Sequence, residues 1–156
     1  MKITIHFEKG KSFWEYAIMG VMAEKQKKLG LPVNPFSHVA IYDGEYRYHT
    51  HPKKGVVREK FKRQEPNPNR MEIEIEVGDL TYALFWHLYD RHKGKPYNYF
   101  SILQLATGVF ICGEPTNSNR MRFNCATWAA YLLNKPDWWK TDLVDLQIWI
   151  EKYNKG

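Results

Sequence analysis

The sequence contains few cysteines and no long apolar run. Its 156 residues include two cysteines, Cys112 and Cys125, which are too few for a disulfide framework and lack metal-ligand spacing. The longest apolar stretch, near Phe100–Cys112, is interrupted by polar residues and is too short for a transmembrane segment. The first residues alternate like a strand and lack the apolar core of a signal peptide. We therefore expect a cytoplasmic protein in a reducing compartment.

Common catalytic and nucleotide-binding motifs are also missing. The sequence contains no GxGxxG, GxxxxGK[ST], HExxH or GxSxG pattern, so nucleotide binding and zinc peptidase or serine hydrolase activity lack support. It has no internal repeat, low-complexity segment or domain linker. The length fits a single domain, 1–156, which at this size buries roughly 68–70% of its unfolded surface without a metal or disulfide.

The charge is moderately basic, with a net value of +6, which favours an acidic partner such as nucleic acid or an anionic surface. Glu59 and apolar residues interrupt the densest basic stretch, so we interpret it as a solvated face without a strong nucleic-acid signal. A basic nucleic-acid-binding module remains the alternative. The sequence indicates no oligomeric state. The stretch comprises Lys53, Lys54, Arg58, Lys60, Lys62 and Arg63.

Periodicity and capping signals predict the elements of secondary structure. Alternating residues predict strands at 2–8, 55–61 and 71–77 and a hairpin over 36–51. Ser12 and Glu15 form a capping-box pattern before a helix that reaches about Lys28. Further helices are predicted from a cap at Asp79 to about Arg91, over 99–110, from Cys125 to about Asn134, and from a cap at Thr141 or Asp142 to about Lys152.

The hairpin predicts two adjacent histidines. Asp43-Gly44 between apolar runs is typical of a two-residue type I′ loop, which places His38 directly opposite His49 with Cβ atoms about 4.5–5.5 Å apart. The two imidazoles then lie together on the sheet face away from the core. The other face carries Val39, Ile41, Tyr46 and Tyr48.

Cys125 is the candidate nucleophile. With Asn124 as the cap, Cys125 lies in the first turn of its helix, where backbone N–H groups favour a thiolate and can stabilise an oxyanion. The alternative is a structural cysteine, because Cys125, Trp128 and Leu132 share one helix face. The spacing alone leaves both interpretations open.

The histidines supply a candidate base and a residue to orient it. An imidazole titrates near neutral pH, so His38 can take the thiol proton while His49 holds the His38 ring. His51, on the same face, is the alternative third residue, and an ordinary exposed hairpin is the alternative to any catalytic role. We expect His6 on the surface, His92 as a cation at a helix C-terminus, and Cys112 in the core.

Two segments carry a family resemblance. The segment FSHVAIYDGEYRYHTHPKKGV, followed much later by FNCATWAAYLL, resembles the circularly permuted papain-like cysteine hydrolases. This group includes the NlpC-type (YiiX-like) amidases of bacteria and phages and the lecithin:retinol acyltransferase-like enzymes. The histidine strand precedes the cysteine helix here, whereas the order is reversed in ordinary papain-like enzymes. The resemblance spans roughly residues 36–134.

The resemblance implies a fold, a reaction and a site. It implies a single α+β domain in which an antiparallel sheet packs against the Cys125 helix, with Cys125 as nucleophile, His38 as base and His49 as the third polar residue. It further implies a hydrolase that cleaves a peptide or isopeptide bond, with peptidoglycan peptide favoured and acyl transfer to another acceptor left open. Such chemistry requires no cofactor, and the family implies no metal.

Overall fold

Alternating apolar residues build a five-stranded antiparallel sheet. The computed structural model describes residues 1–62, 66–100, 104 and 122–155. The strands follow the order β4-β3-β2-β1-β5, which places β4 and β5 at the two edges, and each predicted strand is confirmed. Their bounds are β1 Lys2–Glu8, β2 His38–Tyr42, β3 Tyr46–His51, β4 Gly55–Lys60 and β5 Arg70–Glu76.

The helices complete an α+β fold, as expected from the sequence. Within the described ranges they are α1 Phe13–Lys28, α2 Asp79–His92, α3 Cys125–Leu132 and α4 Leu143–Lys155, with a short 3-10 helix at Trp138–Lys140. None of these helices combines the length and apolar character needed to cross a bilayer.

Helix capping agrees with the sequence at three of the predicted starts. Ser12 and Glu15 form the predicted capping box of α1. Asp142 rather than Thr141 caps α4, because its Oδ1 accepts the Asp145 N–H at 2.8 Å. The cap predicted at Asp79 is wrong, since Gly78 is the N-cap residue and Asp79 is the first helical residue of α2. Asn124 caps α3 as predicted.

One sheet face and the helices enclose the core. Residues at alternate positions of β1 and β2 point to this face and are fully buried, because a strand presents successive side chains to opposite sides. Helix α3 packs against β2 and β3, so the position of Cys125 is fixed relative to the hairpin. The most buried members of the core include Ile3, Ile5, Phe7, Val39, Ile41, Tyr48, Trp128 and Leu132.

The predicted two-residue turn at Asp43-Gly44 is wrong. Tyr42 pairs with Arg47 in the ladder between β2 and β3, and the Asp43 N–H donates to the Tyr46 carbonyl at 3.1 Å, so the turn is centred on Gly44-Glu45. The Asp43 carboxylate supports this position, because its Oδ1 accepts the backbone N–H groups of Glu45 at 2.9 Å and Tyr46 at 2.7 Å. Such a side-chain cap stabilises the shifted turn.

This change moves the register by two residues and keeps the faces. The predicted pairing placed His38 directly opposite His49, whereas Ile41 pairs with Tyr48, which makes the two histidines diagonal neighbours. Because side chains alternate with a period of two, a shift of two residues leaves both imidazoles on the same face. The predicted proximity of the histidines is therefore confirmed, with a different geometry.

The second sheet face is covered as well, which overturns the expectation that His6 is a surface residue. His6 is 0% exposed; its ring stacks on Tyr42 with centroids 5.4 Å apart and meets the edge of Phe61. The guanidinium groups of Arg47 and Arg70 lie 4.7 and 5.1 Å from the Phe61 ring centroid. Phe61 and these cations seal His6 from water.

The expectation for His92 is also wrong. His92 is buried at the end of α2, and burial lowers its pKa to about 4, so the ring is neutral rather than a cation at neutral pH. It contacts the rings of Phe123 and Tyr131 and belongs to the aromatic core around α3. The predicted helix 99–110, Cys112 and Arg63 lie largely or wholly outside the described residues.

Candidate active site

The start of helix α3 is fixed by reciprocal capping. The Asn124 side chain accepts the Thr127 N–H at 2.9 Å, and the Thr127 hydroxyl oxygen accepts the Asn124 N–H at 2.9 Å. Two of the N–H groups that a helix start leaves without helical partners are thereby satisfied. This arrangement holds Cys125, the first residue of α3, at a defined position.

The Cys125 sulfur lies against the start of strand β2. The thiol donates to the Ser37 carbonyl over a sulfur–oxygen distance of 3.9 Å, and this carbonyl belongs to the peptide unit that joins Ser37 to His38. The side chain is buried, with 5% of the residue exposed. The Cys125 sulfur therefore contacts the backbone next to His38 and not the His38 imidazole.

Burial outweighs the effect of the helix start on the thiol. Burial raises the pKa of Cys125 to about 11, although the backbone N–H groups of Val39 and Ala126 and the Tyr97 hydroxyl act in the opposite direction. The expectation that the helix N-terminus yields a low-pKa thiolate is thus wrong for this conformation. Cys125 carries its proton at neutral pH, so attack on a carbonyl requires a base.

The two histidines of the hairpin contact each other directly. His38 Nε2 and His49 Nδ1 are 3.2 Å apart, and the rings are nearly perpendicular at 86°. Burial first, and then the neighbouring His49, lower the pKa of His38 to about 3. Burial and Arg47 also lower the pKa of His49. Both rings are therefore neutral at neutral pH, and a pKa of about 3 makes His38 a weaker base than an ordinary imidazole in this conformation.

The sequence reasoning missed Glu59, which extends this pair into a chain. Glu59 Oε2 lies 3.3 Å from His49 Nε2, and its other carboxylate oxygen lies 3.4 Å from Lys54 Nζ. In the β3–β4 ladder His49 pairs with Val57, so Glu59 is its diagonal neighbour on the same face. The strand predicted at 55–61 contains Glu59, but its contact with His49 depends on the register of this strand against β3.

His49 and His51, the two candidates for the third residue, make different hydrogen bonds. His51 Nδ1 accepts the backbone N–H groups of Lys53 at 3.1 Å and Lys54 at 3.3 Å, so this ring nitrogen caps the turn between β3 and β4. His49 instead contacts His38. The arrangement of hydrogen bonds therefore favours His49 for the orienting role.

The Cys125 sulfur and the two imidazoles are not bonded to each other in the described part of the chain. Within the ranges that the structure describes, the sulfur bonds to the Ser37 carbonyl and neither imidazole bonds to it. Strand alternation directs His38 to the face opposite Val39, and Cys125 packs on the Val39 side. The sulfur and the His38 ring therefore lie on opposite sides of β2 in this conformation.

The basic stretch does not form a single patch. Arg58 packs its guanidinium over Trp86, 3.7 Å from the ring centroid, and is close to Tyr46. Lys54 pairs with Glu59, and Lys60 pairs with Glu45 at 3.6 Å. Arg58, Lys54 and Lys60, three of the described cations of this stretch, are thus engaged in an aromatic contact or in local ion pairs.

In the parts of the chain described above, no group of three or more His, Cys, Asp or Glu side chains could hold a metal ion. No family model, curated protein or solved structure matches this chain. The interpretation of the site therefore depends on its own residues.

Proposed function

We propose that this protein is a cysteine hydrolase that cleaves an amide bond, either peptide or isopeptide, through a thioacyl-enzyme. Cys125 is the nucleophile, His38 the general base and acid, and His49 the residue that orients His38. Peptidoglycan peptide is the substrate class we favour, on the resemblance to permuted papain-like enzymes. Transfer of the acyl group to an amine or alcohol instead of water uses the same residues.

One observation carries this proposal. The His38–His49 contact uses Nε2 of His38, which leaves Nδ1, the nitrogen nearer the backbone, for the nucleophile. The backbone peptide at this end of His38 is the group that the Cys125 thiol contacts, through the Ser37 carbonyl. Catalysis requires a conformation in which His38 Nδ1 reaches the sulfur around the start of β2, and apo sites are often looser than reacting ones.

In the proposed reaction, His38 returns each proton that it takes. His38 Nδ1 takes the Cys125 proton as the sulfur attacks the amide carbonyl, and the Cys125 backbone N–H donates to the developing oxyanion. The carbon–nitrogen bond breaks, and His38 returns the proton to the leaving amine. Water then loses a proton to His38 and attacks the thioester, which releases a carboxylic acid and the Cys125 thiol.

Labelling with an electrophilic thiol probe tests the proposal. We expect a chloroacetamide probe to modify Cys125 of the full chain with a rate that rises with pH. The rate should fall by roughly 10²–10⁴ when His38→Ala removes the base, the usual contribution of general base catalysis. Cys125→Ser should abolish the labelling, and Cys112→Ser should leave it unchanged. Labelling that is indifferent to His38, or confined to Cys112, would rule the mechanism out.

A second candidate function is an inactive interaction protein with the same fold. The burial of Cys125 and its pKa of about 11 favour it, because they are properties of a structural thiol. Under this alternative Cys125 reacts with iodoacetamide more slowly than a free thiol, both with and without His38. The probe experiment therefore separates the two candidates.

A further inference from the structure

A chain of three side chains crosses the β2–β3–β4 side of the sheet. It runs from Glu59 on the edge strand β4, through His49 on β3, to His38 at the start of β2, with contacts of 3.3 and 3.2 Å. We propose that Glu59 is a positioning residue that fixes the protons of both histidines, so that Nδ1 of His38 is the unprotonated nitrogen. This inference rests on the proposed function for its catalytic meaning, but the proton positions can be measured independently.

The assignment follows from the donors and acceptors that each group offers. An ionised carboxylate only accepts hydrogen bonds, so Glu59 requires the proton of His49 to be on Nε2. A neutral imidazole has one N–H, which leaves His49 Nδ1 as an acceptor. His38 must then donate from Nε2, and its Nδ1 carries the lone pair. One carboxylate thereby sets the tautomer of both rings.

The charges around the chain keep Glu59 ionised. Lys54 lies 3.4 Å from its second oxygen. Burial acts to raise the pKa of Glu59, but the hydrogen bond with His49 and the Lys54 charge outweigh it and lower the pKa. The cation directly opposite in the ladder, Arg47, is bonded to Glu8 over 2.8 Å. Glu59 is therefore the carboxylate that bonds to His49.

The other charged or titratable groups near the two rings form hydrogen bonds elsewhere. Arg47, Glu8 and His51 act on the histidines through their charges. Glu8 is bonded by Arg47 and also by Arg70 at 2.8 Å, and His51 Nδ1 accepts from the turn backbone. In the described ranges, the carboxylate in hydrogen-bond contact with either ring is that of Glu59.

The direct test is nitrogen NMR of the imidazoles in the full chain labelled with ¹⁵N at neutral pH. The protonated and unprotonated ring nitrogens have well-separated shifts, and the His38 and His49 signals are assigned by their loss in His38→Ala and His49→Ala. We expect both histidines to carry the proton on Nε2. In Glu59→Gln, whose amide both donates and accepts, both rings should change to a mixture of tautomers.

A matched control removes the same charge without touching the histidines. Glu45 pairs with Lys60 at the opposite end of β3, so Glu45→Gln should leave both tautomers unchanged. Thermal unfolding should show that both variants fold. Glu59→Asp, which keeps the charge but cannot reach as far, provides a second variant if Glu59→Gln does not fold, and it should show the same mixture.

The rate at which the chloroacetamide probe labels Cys125 measures the effect of Glu59 on the reactivity of the thiol. We expect Glu59→Gln to slow it at least roughly tenfold, against the approximately 10⁴-fold loss known when the wrong tautomer is fully imposed on a catalytic histidine. A proton on His38 Nδ1, or tautomers indifferent to Glu59, would overturn the inference even if Cys125 is active. An inert Cys125 with the expected tautomers would instead refute the proposed hydrolase and leave the proton assignment in place.

Discussion

The buried ring of His6 should make the protein sensitive to acid. His6 is 0% exposed and both of its ring nitrogens lack a hydrogen bond within the described part of the chain, while Glu72 lies 3.7 Å away. Burial first, and then the Arg70 charge, lower the pKa of His6 from 6.5 to about 4. The unfolded chain therefore binds a proton on this ring more readily than the folded chain does.

The size and the sign of the effect follow from these two pKa values. Because the pKa of His6 is lower in the folded state, His6 does not change the free energy of unfolding above about pH 6.5. As the pH falls from 6.5 toward about 4, protonation of His6 in the unfolded chain lowers this free energy. Between about pH 8 and about pH 5 the loss is about 2 kcal/mol, from the proton-binding difference of the two states. Below about pH 4 it approaches about 3 kcal/mol.

His6→Phe is the perturbation that isolates this term. Phenylalanine keeps the ring against Tyr42 and Phe61 and removes the titration, so at about pH 8 we expect stability within about 1 kcal/mol of the original. The free energy of unfolding, from urea titrations followed by tryptophan fluorescence, should then fall by about 2 kcal/mol less between the two pH values than in the unmodified chain. The other buried histidines are present in both proteins, so their contributions cancel in the difference between the two pH dependences.

His87→Gln removes an exposed histidine from α2 and should leave the pH dependence as it is. If His6→Phe retains the full acid sensitivity, the ring is not kept neutral by burial and the account of this face is wrong. A loss well above 1 kcal/mol at about pH 8 would mean that the ring nitrogens have partners in the folded state.

Two further predictions concern local structure. Asn124→Ala should lower the free energy of unfolding by about 1 kcal/mol and Asn124→Ser by less, because serine still caps a helix; an alanine variant with unchanged urea midpoint would contradict the capping. Gly55 has a φ of +72°, and a Cβ there would lie 1.9 Å from the Lys95 carbonyl oxygen. Gly55→Ala should therefore lower the melting temperature, whereas Gly20→Ala, in open space within α1, should raise stability by roughly 0.5–1 kcal/mol; equal effects of the two would refute the steric argument.

The elements that the sequence predicted well are those determined by local patterns. The alternation of β1 and β5 and the capping signals of Ser12 and Asn124 depend on neighbours a few residues away, and they reappear in the structure. The closeness of His38 and His49 was also predictable, since a hairpin keeps its faces under a register shift of two.

The features that escaped prediction depend on distant contacts. The predicted hairpin register was wrong because the Asp43 side chain stabilises a turn centred on Gly44-Glu45. The prediction that His6 is exposed was wrong because Phe61, more than fifty positions away in the sequence, covers a face with a polar sequence pattern. Glu59 was missed because its contact with His49 depends on the register of β3 against β4, which the turn preceding Gly55 sets.

The reactivity of Cys125 follows the same pattern. Its place at the start of α3 was readable from Asn124, and that position alone favours a low pKa. The raised pKa of about 11 comes from burial against β2, which a helix signal does not reveal. The sequence therefore identified the chemical groups of the site, while their protonation states depend on how the helix and the hairpin pack.

Transfer of an acyl group to the sulfur tests the central claim most directly. The full chain is incubated with p-nitrophenyl acetate, the burst of p-nitrophenolate is recorded, and the acetylated residue is identified by mass spectrometry. We predict a burst of about one equivalent with the acetyl group on Cys125, strongly slowed in His38→Ala and absent in Cys125→Ser. Acetylation of other residues only, or of Cys125 at the same rate without the His38 imidazole, would contradict the account.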